Sequence, residues 1–168
     1  MENDKLYEFI CELVKEKCGE GILNHSRRVN DLALLLSHIY GGDKKVITLS
    51  TLLHDIAIKE GFSSHAKRSS KITRELFRNR LDPILLKKIC YCIKYHSITS
   101  PKPKKIISEL KCIYDADKID VLLTGDIKKL QKINCQNIIS CKDLRNFIGD
   151  KSLAIYNLLR RLIKWYKK

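Results

Sequence analysis

The chain has 168 residues, and 33 Lys+Arg against 19 Asp+Glu give it a formal charge of +14. That length suits one domain with a sizeable core, and 44% hydrophobic with 31% charged residues excludes a disordered chain. No uninterrupted apolar run exceeds five residues, Leu32 to Leu36 being one, which is too short to span a bilayer, and the N-terminal MENDKLYEF has charges of both signs and no apolar signal core. These features point to a cytoplasmic protein with no membrane partner.

Helical periodicity runs nearly end to end, broken by a few turn signals. A first helix over about 4–17 ends at Gly19-Glu20-Gly21, and a second over about 22–40 stops at Gly41-Gly42. Asp43 is the expected N-cap of a third, about 44–57. Gly61-Phe62-Ser63-Ser64 separates it from a helix over about 64–80, and Asp82-Pro83 opens another over about 83–97 in the N-cap then N1 arrangement. Pro101 and Pro103 mark a loop before a helix of about 104–124; residues 125–142 are ambiguous, and about 143–167 reads as a C-terminal helix. With only seven Gly and three Pro and no linker or repeat, the expectation is all-α, one domain over 1–168.

Several chemistries are absent. There is no GxGxxG, no GxxxxGK[ST], no HExxH and no GxSxG, which sets aside the nucleotide-binding α/β folds and serine hydrolases. The seven Cys include no CxxC pair. They read as reduced core fillers and not as a disulfide or zinc framework.

The functional signal lies on the apolar stripes. One runs His25, Val29, Leu32, Leu36, Ile39; a second Leu85, Ile89, Cys92, His96; a third Ile106, Leu110, Ile113, Asp117, Val121. Each is apolar except for one His or Asp. A carboxylate on a core stripe is unfavourable unless paired or bound to a cation. A lone core histidine is ordinary, but several on separate helices, with His54-Asp55 closing a leucine-rich helix, can converge inside a bundle as metal sites do. Imidazole with carboxylate suits Mn, Fe, Zn, Co or Ni better than calcium. His38 is turned about 140° from His25 around its helix and is expected on the surface.

The ordered set His25, His54-Asp55, Asp117 resembles the HD superfamily of metal-dependent phosphohydrolases. His25-Ser26-Arg27-Arg28-Val29 is similar to its H-x-x-R-V helix, Leu52-Leu53-His54-Asp55-Ile56 to its LLHDI segment, and Asp115-Ala116-Asp117-Lys118-Ile119-Asp120 to its DAD-x-x-D ending. The match covers about residues 22–121. The resemblance implies an HD-type helical bundle with His25, His54, Asp55 and Asp117 as ligands of one divalent metal. It also implies that His65 and His96 hold a second ion or face the substrate phosphate, so one or two metals per chain stay open. The six-residue set is similar to that of HD-type diadenosine tetraphosphate hydrolases. The DAD-x-x-D ending is closer to one-metal nucleotide phosphohydrolases.

The implied chemistry is attack of a metal-activated water on phosphorus, with Asp55 ligating the metal and orienting the water. Arg28, three residues from His25, is placed to grip phosphate bidentately, or else to form a surface ion pair. Lys59 stands one position later than the Lys of the family's HDIGK, about 100° further round, which weakens its expected phosphate contact.

Charge is distributed unevenly. Residues 67–80 hold Lys67, Arg68, Lys71, Arg74, Arg78 and Arg80 against Glu75, and the stretch 87–111 is similarly Lys-rich, whereas the first twenty residues are acidic. The balance fits a small phosphorylated substrate such as a nucleotide, or composition bias alone. The alternative classes are a dinucleoside polyphosphate hydrolase with two metals, or a basic nucleic-acid-binding module with a non-catalytic metal site. Aromatics are not interleaved with the basic blocks, which disfavours the last.

Overall fold

The structure is a computed structural model that describes residues 2–61, 63–97, 100 and 102–123. Among the described residues there are six α-helices: α1 (Glu2–Cys18), α2 (Glu20–Tyr40), α3 (Lys44–Leu53), α4 (His65–Phe77), α5 (Pro83–Tyr95) and α6 (Ser108–Leu123), with one 3-10 turn at Ile58–Glu60. No strand occurs among them, as the all-α reading expects. Backbone contacts divide the chain into Met1–Asp120 and Val121–Lys168, and every side chain discussed below belongs to the first unit. The single-domain reading over 1–168 and the helix at about 143–167 extend beyond the described residues.

Local chemistry sets the helix ends. The Asp43 carboxylate accepts from Lys45 N and Val46 N, and that of Asp82 from Ile84 N and Leu85 N with Pro83 behind it, so both expected caps form. Gly19, at φ +84°, makes the α1–α2 break by itself, whereas Gly21 lies inside α2. The third helix stops at Leu53, four residues short of the expected end. There the Ala57 N–H donates to Ser69 Oγ at 3.1 Å instead of continuing the helical ladder. α6 starts later than expected because Lys105 is tied through both its N–H and its carbonyl to the Tyr91 hydroxyl.

α3 is central, packing on α1, α2 and α5, while α4 pairs with α5. Ile10, Val14, Leu52, Leu53, Phe77, Ile89, Ile93 and Ile113 are fully buried and form one core. Each such side chain contributes roughly 1.5–3 kcal/mol relative to exposure. Cys11, Cys18, Cys90, Cys92 and Cys112 are free and buried, in line with core-filling; Cys135 and Cys141 lie outside the described residues. His38 is exposed, as expected, but Ile106 is too and precedes α6, so it drops from the third stripe. Among the described residues no helix is long and apolar enough to cross a membrane.

Candidate metal centre

The end of α3 builds the site. Successive residues of an α-helix point about 100° apart, so His54 and Asp55 would diverge on a continuing helix. Because the helix gives way to a turn after Leu53, both side chains face one pocket, with His54 Nε2 at 3.5 Å from Asp55 Oδ2. α2 brings His25, whose Nε2 lies 3.2 Å from His54 Nε2 and 3.9 Å from Asp55 Oδ2. α6 brings Asp117, with Oδ1 at 3.4 Å from His25 Nε2 and 3.9 Å from His54 Nε2. The other oxygen of Asp55 turns to a second group. Oδ1 stands 3.2 Å from Nε2 of His65, the first residue of α4, and 3.5 Å from Nε2 of His96, just after α5. Those two nitrogens are 3.2 Å apart. Asp55 is therefore shared by two potential ion-binding groups, His25–His54–Asp55 and Asp55–His65–His96.

The proton positions decide whether a cation fits. A carbonyl oxygen can only accept, so the 2.6 Å contact of His54 Nδ1 with Thr51 O and the 2.7 Å contact of His96 Nδ1 with Ile93 O put the ring hydrogen on Nδ1 in each. Their Nε2 lone pairs then point inward. His25 Nδ1 likewise donates to Asp120 Oδ2 at 2.7 Å. In neutral rings this sets two lone pairs, on His25 and His54, against each other at 3.2 Å, an arrangement that needs a positive charge between them. Asp55 Oδ1 is buried and satisfied by no hydrogen bond. Inward lone pairs, a buried carboxylate oxygen without a hydrogen bond, and outer partners fixing the rings of His25, His54 and His96 are what a borderline transition metal requires, so the donor set fits one.

In the metal-free protein a proton supplies that charge. Burial lowers the pKa of His25, but hydrogen bonds to Asp117 and Asp120 and the charges of Asp117 and Asp55 outweigh it and raise the value to about 9. Burial instead pushes His54 down to about 4, so it is neutral near pH 7. Burial opposes ionisation of Asp55 and Asp117, yet both are held well below the ordinary carboxylate range. The opposing groups are the histidines around Asp55 and, for Asp117, chiefly Lys118, whose Nζ lies 2.5 Å from Oδ2 and 4.8 Å from the Tyr114 ring centre.

A measurable consequence is proton release. At pH 7 an ion entering beside His25 must displace its proton, so close to one proton per ion is expected in that pocket. Apparent affinity should then rise by about tenfold per pH unit and level off above pH 9, where the proton has already left. Calorimetry in buffers of different ionisation heats measures the number; zero release at pH 7 would contradict the protonated His25.

The six His and Asp residues expected from the sequence as metal or phosphate groups thus converge. Two expected phosphate contacts do not join them. The Arg28 guanidinium is engaged by Asp120, with Nε to Oδ1 at 2.7 Å and Nη2 to Oδ2 at 3.0 Å, so its bidentate grip falls on a protein carboxylate and not on open space. Lys59 is exposed on the 3-10 turn, its Nζ 3.7 Å from where a Cβ on Gly19 would stand. Asp120 and Lys118 were missed as site groups. Their signal was the DAD-x-x-D segment itself, since Asp117 and Asp120 are three residues apart and share a helix face.

The geometry agrees with the comparisons to known proteins. The HD domain family matches residues 22–122, and the chain belongs to that family, a superfamily of metal-dependent hydrolases that bind divalent ions. No curated protein matches. Among solved structures the chain is similar to a predicted HD superfamily hydrolase from an uncultured Thermotogales bacterium. The identity is 17%, the coverage 94% of this chain and 92% of that one, and the TM-score 0.58, a likeness of fold.

Proposed function

We propose that the protein is a metal-dependent phosphohydrolase acting on a phosphate ester or anhydride of a nucleotide or similar small compound. The observation that carries this reading is the position of Asp55 between two inward-facing histidine pairs. When bound, a divalent ion polarises a phosphoryl oxygen and acidifies water, and transition metals such as Mn, Fe, Co, Ni or Zn suit these donors. The chain's own residues bind and orient. His25, His54, Asp55 and Asp117 form one donor set; His65 and His96 complete a second through Asp55. Lys118 places a cation beside the cluster, where a substrate phosphate brings negative charge.

The shared Asp55 favours two ions per chain over one. That arrangement raises the reading as a dinucleoside polyphosphate hydrolase, since two cations match a chain of several phosphates. We place the enzyme in the cytoplasm, with a small phosphorylated substrate and no membrane partner.

The test is elemental mass spectrometry on untagged protein reloaded with Mn²⁺, followed by chromatographic separation of the products formed from mononucleotides and a dinucleoside tetraphosphate. Two ions per chain and hydrolysis abolished by chelation are expected. A fully loaded protein that hydrolyses none of these substrates would overturn the reading.

A further inference from the structure

The basic block 67–80 has an order that composition alone does not require. Lys67, Lys71, Arg74 and Arg78 are exposed and follow one another at spacings of four, three and four residues. At 100° per residue they fall within about 60° of arc and form a cationic stripe about 16 Å long on α4. At its C-terminal end the stripe borders a groove of about 370 Å³ between α4 and α5, lined by Arg74, Arg78, Pro83, Leu86 and Lys87. Some cations meet carboxylates: Arg28 with Asp120, Arg68 with Glu60, Lys88 with Glu109, Lys118 with Asp117 and, within the stripe, Lys71 with Glu75 at 3.9 Å. Among the described residues, Arg74, Arg78 and Lys87 have no carboxylate within ion-pair distance. The nearby Asp82 carboxylate is used in capping α5. His65 lies about 160° round α4 from Lys67, so the stripe turns away from the metal centre.

We propose that this α4–α5 groove binds the sugar-phosphate backbone of a single-stranded nucleic acid, at a place separate from the metal centre. Regularly spaced cations on an exposed helix face match a chain with one negative charge per unit, and guanidinium forks match phosphate oxygens. An acidic peptide has such regular charge only in an unbroken run of Asp or Glu. The groove floor, Pro83 and Leu86, has no aromatic ring for stacking bases, so the contact is to backbone, independent of sequence and sensitive to salt. The site would hold a nucleic acid against the protein while the metal centre works on a small phosphate compound. It does not depend on that catalytic reading.

The probe is a labelled oligouridine, with anisotropy measured between about 50 and 200 mM salt. R74E/R78E/K87E should weaken binding at least tenfold and reduce the salt slope by about 2, the value for three single-strand phosphate contacts. K44E/K45E/K104E, which removes the same charge from exposed positions elsewhere, should leave affinity within about threefold. Metal content should stay unchanged in both, which separates failure of this inference from failure of the metal-centre reading. If charge reversal disturbs helical content, R74Q/R78Q/K87Q should give the same ordering. Equal losses in groove and control variants would overturn the proposal in favour of diffuse charge. Displacement by polyglutamate as effective as by unlabelled oligouridine would overturn it in favour of an acidic protein segment.

Discussion

Asp55→Ala is expected to empty both pockets at once. In each, Asp55 contributes the carboxylate facing a histidine pair, Oδ2 toward His25 and His54 and Oδ1 toward His65 and His96. Losing several kcal/mol of metal-derived transition-state stabilisation corresponds to at least about 1,000-fold in rate. The fold should survive, but the surrounding histidines hold Asp55 ionised well below the ordinary carboxylate range, so its loss removes a favourable interaction at pH 7. Helical content should stay intact, and melting in the absence of metal should be modestly lower. Wild-type protein at about a hundredfold excess of metal over Kd should gain on the order of 5–10 °C, and the variant nothing. His96→Ala distinguishes sharing from mere proximity, since it should cost one ion of two while Asp55→Ala costs both. His38→Ala, at an exposed position, should alter neither metal content nor turnover. An Asp55→Ala protein that retains a full complement of metal would sink the shared-carboxylate arrangement.

The sequence made three inward groups of this site, His25, His96 and Asp117, legible because each breaks an apolar stripe at helical spacing, whereas His54-Asp55 and His65 emerged through the family resemblance. His96 after Leu85, Ile89 and Cys92, or Asp117 after Leu110 and Ile113, stands where a hydrophobic residue belongs, and α5 and α6 carry them inward. What was not legible depends on neighbours distant in sequence. The end of α3 is set partly by Ser69, twelve residues on, whose hydroxyl takes the Ala57 N–H. No propensity within residues 44–57 encodes that competitor. Arg28 shows the same limit: its spacing from His25 is correctly on one face, but what its fork meets is supplied by Asp120, 92 residues later. Helical period fixes the face a side chain occupies, and only packing fixes the partner it finds there.

Asp120→Ala should therefore act on metal affinity without removing a metal ligand. The buried Asp120 carboxylate accepts from His25 Nδ1 at 2.7 Å and from both arms of Arg28, so it fixes ring orientation and keeps the Nε2 lone pair inward. Losing such an outer partner typically lowers affinity by about 10–100-fold. It should also lower the His25 pKa from about 9, because one of the hydrogen bonds that raise it is gone; proton release near pH 8 should then fall. Asp120→Asn keeps an acceptor for Nδ1–H but not the charge, so its affinity should fall between wild type and Ala. Arg28→Ala leaves Asp120 in place but bared on one side. Since Arg28 is 39% exposed, we expect a loss of only about 1 kcal/mol in stability, with a weaker effect on metal affinity than Asp120→Ala. This ordering separates the two roles of Arg28. An arginine that grips substrate would raise KM and leave metal binding alone, whereas one that steadies Asp120 weakens metal binding in step with loss of activity. Unchanged metal affinity in both Arg28→Ala and Asp120→Ala would reject the Arg28–Asp120–His25 chain as a support of the site.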